Sequence, residues 1–224
     1  MEKHFKFTGK TKVEFGITFN QIQAIKNLPC GVKRGDIGGW IESKHQLYGN
    51  AWVYENAKVS GNAWVSGDAK VSGNAEVSGN AKVYGDAKVY ENAKVYGNAK
   101  VYGDAWVYGN AKVYGNAWIY GNAKVYGNAK VSGNAKVYGD AWVSGDAWVS
   151  GDVIVDSITA IIVLVIVMKY SVTITKKLIF IGCKQFTHLE IKKITTKQAE
   201  NLGLEKQYYK VYKEMILSAI KLLK

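Results

Sequence analysis

The chain has 224 residues, of which 48% are hydrophobic and 21% charged, which excludes both a disordered polyelectrolyte and a membrane bundle. One proline beside 24 glycines excludes collagen-like and proline-rich architectures. The net charge of +12 divides into +4 over residues 1–46, +1 over 47–154 and +7 over 155–224, so no basic stripe runs along the middle and nucleic acid is not an expected partner.

Residues 1–46 do not repeat. MEKHFKFTGK lacks the apolar core of a signal peptide, and two cysteines, Cys30 and Cys183, cannot make a disulfide framework, so a reducing, cytoplasmic setting is expected. The alternating stretches HFKFTG and KVEFGITF read as short strands, and GVKRGDIGGWIES leads into a repetitive segment that begins at Leu47. Open ends of a repeat stack expose core and unpaired backbone, so residues 1–46 are read as a cap. Gly38-Gly39-Trp40 suits a close backbone approach with an aromatic plug.

Residues 47–154 repeat every six residues through eighteen copies of V-[YS]-[GE]-[ND]-A-[KWE] without an insertion. Six is even, so the pattern fits strand alternation and not a 3.6-residue helix. In Ala-x-Val-x, Ala and Val share one face while Lys or Trp and Tyr or Ser share the other, and the Gly-Asn or Gly-Asp after them suits a corner. Such short strands bury a face only when successive turns stack, which gives a parallel β-solenoid with Val101 and Val107 buried and Lys100 and Tyr102 exposed.

The repeat resembles the hexapeptide-repeat family, whose single-stranded left-handed parallel β-helix is a triangular solenoid with three hexads per turn. That resemblance implies the handedness and about six turns, roughly 29 Å long at ~4.8 Å per turn. RGDIGGWIES together with runs such as GDAWVYGNAKVYG resembles small hexapeptide-repeat proteins of bacteriophages and prophages, often labelled hexapeptide transferases. It implies a structural or accessory protein, cytoplasmic in the host or virion-associated, that forms homo-oligomers, trimers first, and meets a host or phage protein.

At eighteen residues per turn, one face stacks Tyr84, Tyr102, Tyr120 and Tyr138 with Trp64 and Trp118. The second stacks Tyr90, Tyr108 and Tyr126 with Trp52, Trp106 and Trp142; the third has Tyr96 and Tyr114 beside Lys58, Lys94, Lys112 and Lys130, interrupted by Glu76. The rows on the first two faces are the candidate interaction surface, for protein, glycan or single-stranded nucleic acid. The competing reading is structural: stacked aromatics hold a solenoid together and Lys guards it against aggregation. Asp68, Asp86, Asp104 and Asp140 share one corner column with Asn50 and Asn122, for turn chemistry or a cation.

An enzyme of this family type needs a histidine at the side of the coil, for zinc or as an acyltransfer base. The coil contains neither His nor Cys; His4, His45 and His188 lie in the flanks. No catalytic residue, cofactor or metal is therefore expected, with an acyltransferase as the alternative and a glycan- or nucleic-acid-binding module as a third reading.

Residues 155–224 form a tail of strands and helices, expected to serve oligomerisation or partner binding. Ile158–Met168 is apolar but short of the ~20 residues of a membrane helix, and its β-branched richness favours buried strands. VTIT and LIFIGC read as a strand pair, and Thr187-His188-Leu189-Glu190 as a capping box opening a helix that breaks near Gly203. From Glu205 an apolar stripe through Met215, Ile216 and Ile220 suggests a helix that packs on the open coil end or on another chain. Cys183 reads as a buried thiol.

Overall fold

The computed structural model describes residues 3–152, 154–156, 162–164, 172–174, 178–181, 184–201, 213, 214, 216–218 and 220. Its centre is a parallel β-solenoid of about six turns. Each turn contributes one rung to each of three sheets, and rungs eighteen residues apart pair in parallel: Lys100 lies beside Lys82 and Trp118, and Val101 beside Val83 and Ile119.

Two or three backbone bonds per hexad tie each turn to the next. Asn98 N–H donates to Gly115 O at 2.8 Å, Lys100 N–H to Ala117 O at 2.9 Å, and Tyr102 N–H to Ile119 O at 2.9 Å. Only the two central residues of each hexad, such as Lys100–Val101, form regular strand, because the corner takes up the remainder. The corner is a four-residue turn, closed at many positions by the Ala N–H on the carbonyl three residues back, as in Ala117 to Tyr114 at 3.4 Å. Its first central residue needs positive φ, supplied by Gly109 at +71° and, where Glu replaces Gly, by Glu55 at +54° and Glu91 at +60°.

Inside, Val and Ala fill the coil completely: Val101 and Val107 have no exposed surface. Burying one such Val contributes on the order of 1.5–3 kcal/mol. Lys100 and Tyr102, expected exposed, are half-buried, because the side chains one turn before and after cover their flanks.

The N-terminal cap continues the third sheet. Strands β1 (Phe5–Glu14) and β2 (Ile17–Ala24) form a hairpin, β2 pairs antiparallel with β3 (Ile37–Ile41), and β3 pairs in parallel with Lys58–Val59. The close approach at Gly38 is real: a Cβ there would lie 2.6 Å from Ile22 Cγ1 and 2.7 Å from Val53 O. The aromatic plug is a different residue from the one expected. Trp40 is half-buried on the third face with Lys12 Nζ 4.5 Å over its ring, while Trp52, 1% exposed, closes the coil end among Phe5, Ile22, Leu28 and Val32.

In the tail, Ile162–Leu164, Val172–Ile174, Leu178–Ile181 and Lys184–Thr187 form a four-stranded antiparallel sheet. The Thr187 box opens α1 (His188–Lys193), with Glu190 N–H donating to Thr187 Oγ1 at 3.2 Å. The helix ends sooner than Gly203, because Thr195 and Gln198 make a second reciprocal cap that starts α2 (Thr196–Asn201). The described residues of the last segment are helical, and Ile216 and Ile220 bury against Ile174, Ile179 and Ile191 of this same lobe, not against the coil end. Gly203, Cys183, Met215 and the rest of Ile158–Met168 lie outside the described residues. Among the described residues no helix is long and apolar enough to cross a membrane.

Candidate functional site

The outward residues of each rung stand in columns because each strand pairs in register with its counterpart eighteen residues on. On the first face the rings of Tyr84 and Tyr102 lie 4.8 Å apart at 1°, those of Tyr102 and Tyr120 at 5.0 Å, and those of Tyr120 and Tyr138 at 4.9 Å. Trp64 extends the stack below Tyr84 at 5.8 Å. On the second face Tyr90, Tyr108 and Tyr126 stack at 4.9 Å spacings. On the third, Tyr96 and Tyr114 stack at 5.1 Å. Such parallel pairs add to the burial of their rings.

The tryptophans of the same two faces are clasped by lysines. Lys88 and Lys124 sit 4.4 and 5.1 Å from the Trp106 ring centre, and Lys100 and Lys136 sit 4.3 and 5.3 Å from that of Trp118. Because the partners stand one turn before and one turn after, both ring faces are engaged within the chain. The inner tyrosines are sandwiched likewise, so what Tyr102 and Tyr108 offer a partner is ring edges and hydroxyls.

Burial also raises the tyrosine hydroxyls. Desolvation, reinforced by Tyr108 and Glu91, pushes Tyr90 up to about 12, and desolvation lifts Tyr84, Tyr102 and Tyr120 above the ordinary value. At Tyr84, Tyr90, Tyr102 and Tyr120 the hydroxyls are therefore neutral donors and acceptors well past physiological pH.

The structure places all twelve candidate surface residues in the two expected columns and leaves eleven of them at the surface. Trp52 is the exception. It belongs to the second-face column, but the cap covers it, with His4 6.0 Å from its ring and His4 Nε2 2.9 Å from Ala51 O. The same burial lowers the His4 pKa, desolvation outweighing its backbone hydrogen bond. Missing from the expected set is Trp148, 43% exposed, whose Nε1 donates to Ser132 Oγ at 3.4 Å. Its slot in the hexad is the Lys/Trp slot, so the repeat alone could have found it.

On the third face Glu76 serves as a countercharge: its carboxylate pairs with Lys94 at 2.9 Å and Lys58 at 3.6 Å, and Lys58 also pairs with Glu14 of the cap. Pairs this exposed contribute little individually. On the second face a groove of about 670 Å³ runs below Pro29 and Cys30, where Asp68, Asp86 and Asp104 face Lys70, Lys88 and Lys124. Three charges of each sign cancel there. Among the described residues no three His, Cys, Asp or Glu converge as metal ligands.

The corner columns carry a second ladder. Asn56, Asn74, Asn92, Asn110 and Asn128 each donate Nδ2 to the Oδ1 eighteen residues on, at 3.1–3.3 Å as far as Asn128, which donates at 3.0 Å to Asp146. Asn62, Asn80, Asn98, Asn116 and Asn134 do the same, ending on Asp152.

Residues 93–109, one turn at the middle of the coil, match the YdcK beta solenoid repeat. The chain is a β-solenoid repeat protein. No curated protein matches it. The matched turn contains Tyr96, Tyr102, Trp106 and Tyr108, so the similarity touches each of the three faces within that one turn.

Proposed function

We propose that this chain is a non-enzymatic structural or protein-interaction scaffold of the hexapeptide-repeat, phage or prophage type, whose coil presents a rigid aromatic- and lysine-lined surface. The observation that carries the reading is the composition of that surface. Over eighteen hexads the outward positions hold Lys, Trp, Tyr, Ser, Glu, Gly, Asn and Asp, with Ile154 at the end, and the stacked tyrosine rings, the lysine-clasped tryptophans and the two long asparagine columns are committed to neighbours one turn away. Groups satisfied in place offer a shape and a hydroxyl row to a protein partner, while a reaction needs a group held ready for substrate. The partner on this reading is a host or phage protein, met in the host cytoplasm or on the virion.

Self-association, trimers first, belongs to the same proposal. Trp142 and Trp148 at 43% and Ile154 at 49% exposure leave apolar surface near the C-terminal end of the coil, next to an apolar run in the sequence. Light scattering at micromolar concentration is expected to give three protomer masses for the full chain, and an oligomeric chain ending at Asp152 would move the interface from the tail onto the coil. A monomeric full chain overturns the association, and saturable acetyl-coenzyme A binding overturns the non-enzymatic reading.

A further inference from the structure

The tyrosine column of the first face is interrupted once. It reads Tyr48, Ser66, Tyr84, Tyr102, Tyr120, Tyr138, and at Ser66 a recess of about 520 Å³ opens, lined by His45, Tyr48, Asn62, Trp64 and Ser66. Trp64 stacks on Tyr84 with its rings 19° from parallel, so its other face is turned toward the preceding turn and Tyr48. Tyr48 is 37% exposed, against the half-buried tyrosines of the continuous ladder.

The wall that carries His45 is fixed. Gln46 is fully buried, accepts from the backbone N–H groups of Glu42 and Ser43 at 2.9 and 3.0 Å, and donates to Gly61 O at 2.8 Å. Ser43 Oγ lies 2.7 Å from His45 Nδ1, which leaves the other ring nitrogen for a ligand. Asn62 is the first asparagine of its corner column. It donates onward to Asn80, but position 44 is Lys, so no asparagine one turn earlier donates to its Oδ1.

We propose that this recess binds a neutral hexopyranose, stacked against Trp64 and Tyr48 with hydroxyls on Asn62, Ser66 and His45. The charge pattern selects the class. No lining residue carries a fixed charge, and the lysines around it are engaged: Lys3 Nζ sits 3.8 Å over the Tyr48 ring and donates to Leu47 O at 2.9 Å, Lys82 sits 5.3 Å over Trp64, and Lys44 sits 5.3 Å over Phe7. A phosphorylated or carboxylated ligand finds no partner here, whereas a sugar ring offers an apolar face for the aromatics and neutral hydroxyls for the rim. The site uses the break in the ladder and not the ladder itself, so it stands apart from the scaffold reading, and its failure leaves that reading untouched.

The test is calorimetric and saturation-transfer NMR titration of the full chain with methyl glucoside, methyl galactoside, methyl mannoside and N-acetylglucosamine up to 50 mM, with AMP as the charged stacking control. Saturable binding of at least one sugar is expected, tighter than AMP. Ser66→Tyr completes the tyrosine column, so it is expected to keep the melting temperature and weaken the sugar at least tenfold; Trp64→Ala is expected to weaken it similarly. Absence of saturation by every sugar, tighter binding of AMP, or unchanged affinity in a folded Ser66→Tyr variant overturns the proposal.

Discussion

The carboxamide of Asn134 donates to the carboxylate of Asp152 across 2.9 Å, and there its hydrogen-bond ladder stops. An ionised carboxylate only accepts, so an aspartate can end such a column but cannot pass a bond onward. Both long asparagine columns end on an aspartate at their C-terminal limit, Asp146 and Asp152.

The third column breaks this rule, and the break is testable. Asn50 donates to Asp68 and Asn122 to Asp140, but between them Asp68, Asp86 and Asp104 succeed one another with no side-chain donor in the column. Asp86→Asn supplies a donor toward Asp104 and separates like charges, which is expected to stabilise the coil by about 0.5–1 kcal/mol in urea unfolding. The reverse change, Asn110→Asp, removes a donor from an intact ladder and is expected to lower stability by a similar amount. Equal midpoints for both variants would show that the ladder contributes nothing.

Corner glycines are constrained in two separable ways. Gly109 and Gly145 both have positive φ, +71° and +64°, but a Cβ on Gly109 would sit 2.9 Å from Gly127 N whereas nothing lies within 4 Å of one on Gly145. Alanine at Gly145 is expected to cost about 1–2 kcal/mol for the left-handed backbone alone. Alanine at Gly109 is expected to cost measurably more, because the facing atoms are backbone and cannot turn away. Thermal melts of the two variants give the difference directly.

The coil interior has no room for charge. Val107→Asp places a carboxylate between stacked rungs with no partner, at a cost of several kcal/mol, and circular dichroism is expected to show loss of the cooperative melt. Val107→Ile, by contrast, adds one methylene as Ile119 already does in the same slot two hexads later, and is expected to keep the cooperative melt at a cost of about 1–3 kcal/mol.

The tyrosine ladder predicts an alkaline limit. In the folded chain Tyr90 is raised to about 12 and Tyr84, Tyr102, Tyr108 and Tyr120 are also raised, mainly by desolvation. The unfolded chain ionises near its ordinary value of about 10 and so releases protons first. The contribution of the ladder is therefore intact below about pH 10 and is lost as pH rises toward the folded values. Urea midpoints at pH 9 and pH 11 are expected to fall apart in the native chain and to lie closer together in Tyr90→Phe, with the remaining gap carried by the other raised tyrosines. Absorbance at 295 nm should place the ionisation above that of free tyrosine.

The sequence discloses the coil because each residue there answers to one nearby constraint: Val107 must be apolar, Gly109 must tolerate positive φ, and Tyr108 must match Tyr90 and Tyr126. Those constraints recur every six residues and can be read without knowing the rest of the chain. The ends are different. Trp52 has the same hexad slot as Trp106, and only the folded cap, with His4 and Ile22 laid across it, makes one a plug and the other a surface residue. The recess at Ser66 is hidden for a related reason: a serine in place of tyrosine looks like ordinary variation until Tyr48, Asn62 and the loop held by Gln46 are brought around it. Thr195 is equally hard to read as a second cap, since α1 and α2 share one continuous polar and apolar pattern across Ile194.

Backbone bonds that reach only from one turn to the next have a consequence for how such a chain can change length. Excising residues 93–110 joins Asn92 to Ala111, keeps the hexad in frame, and returns every later side chain to the face it occupied. Excising a single hexad keeps the frame too, yet rotates everything downstream by one face, so tyrosine meets serine and the aspartate terminators leave their columns. The rod behaves as a ruler graduated in steps of about 4.8 Å, and its surface pattern is a phase that only whole turns preserve.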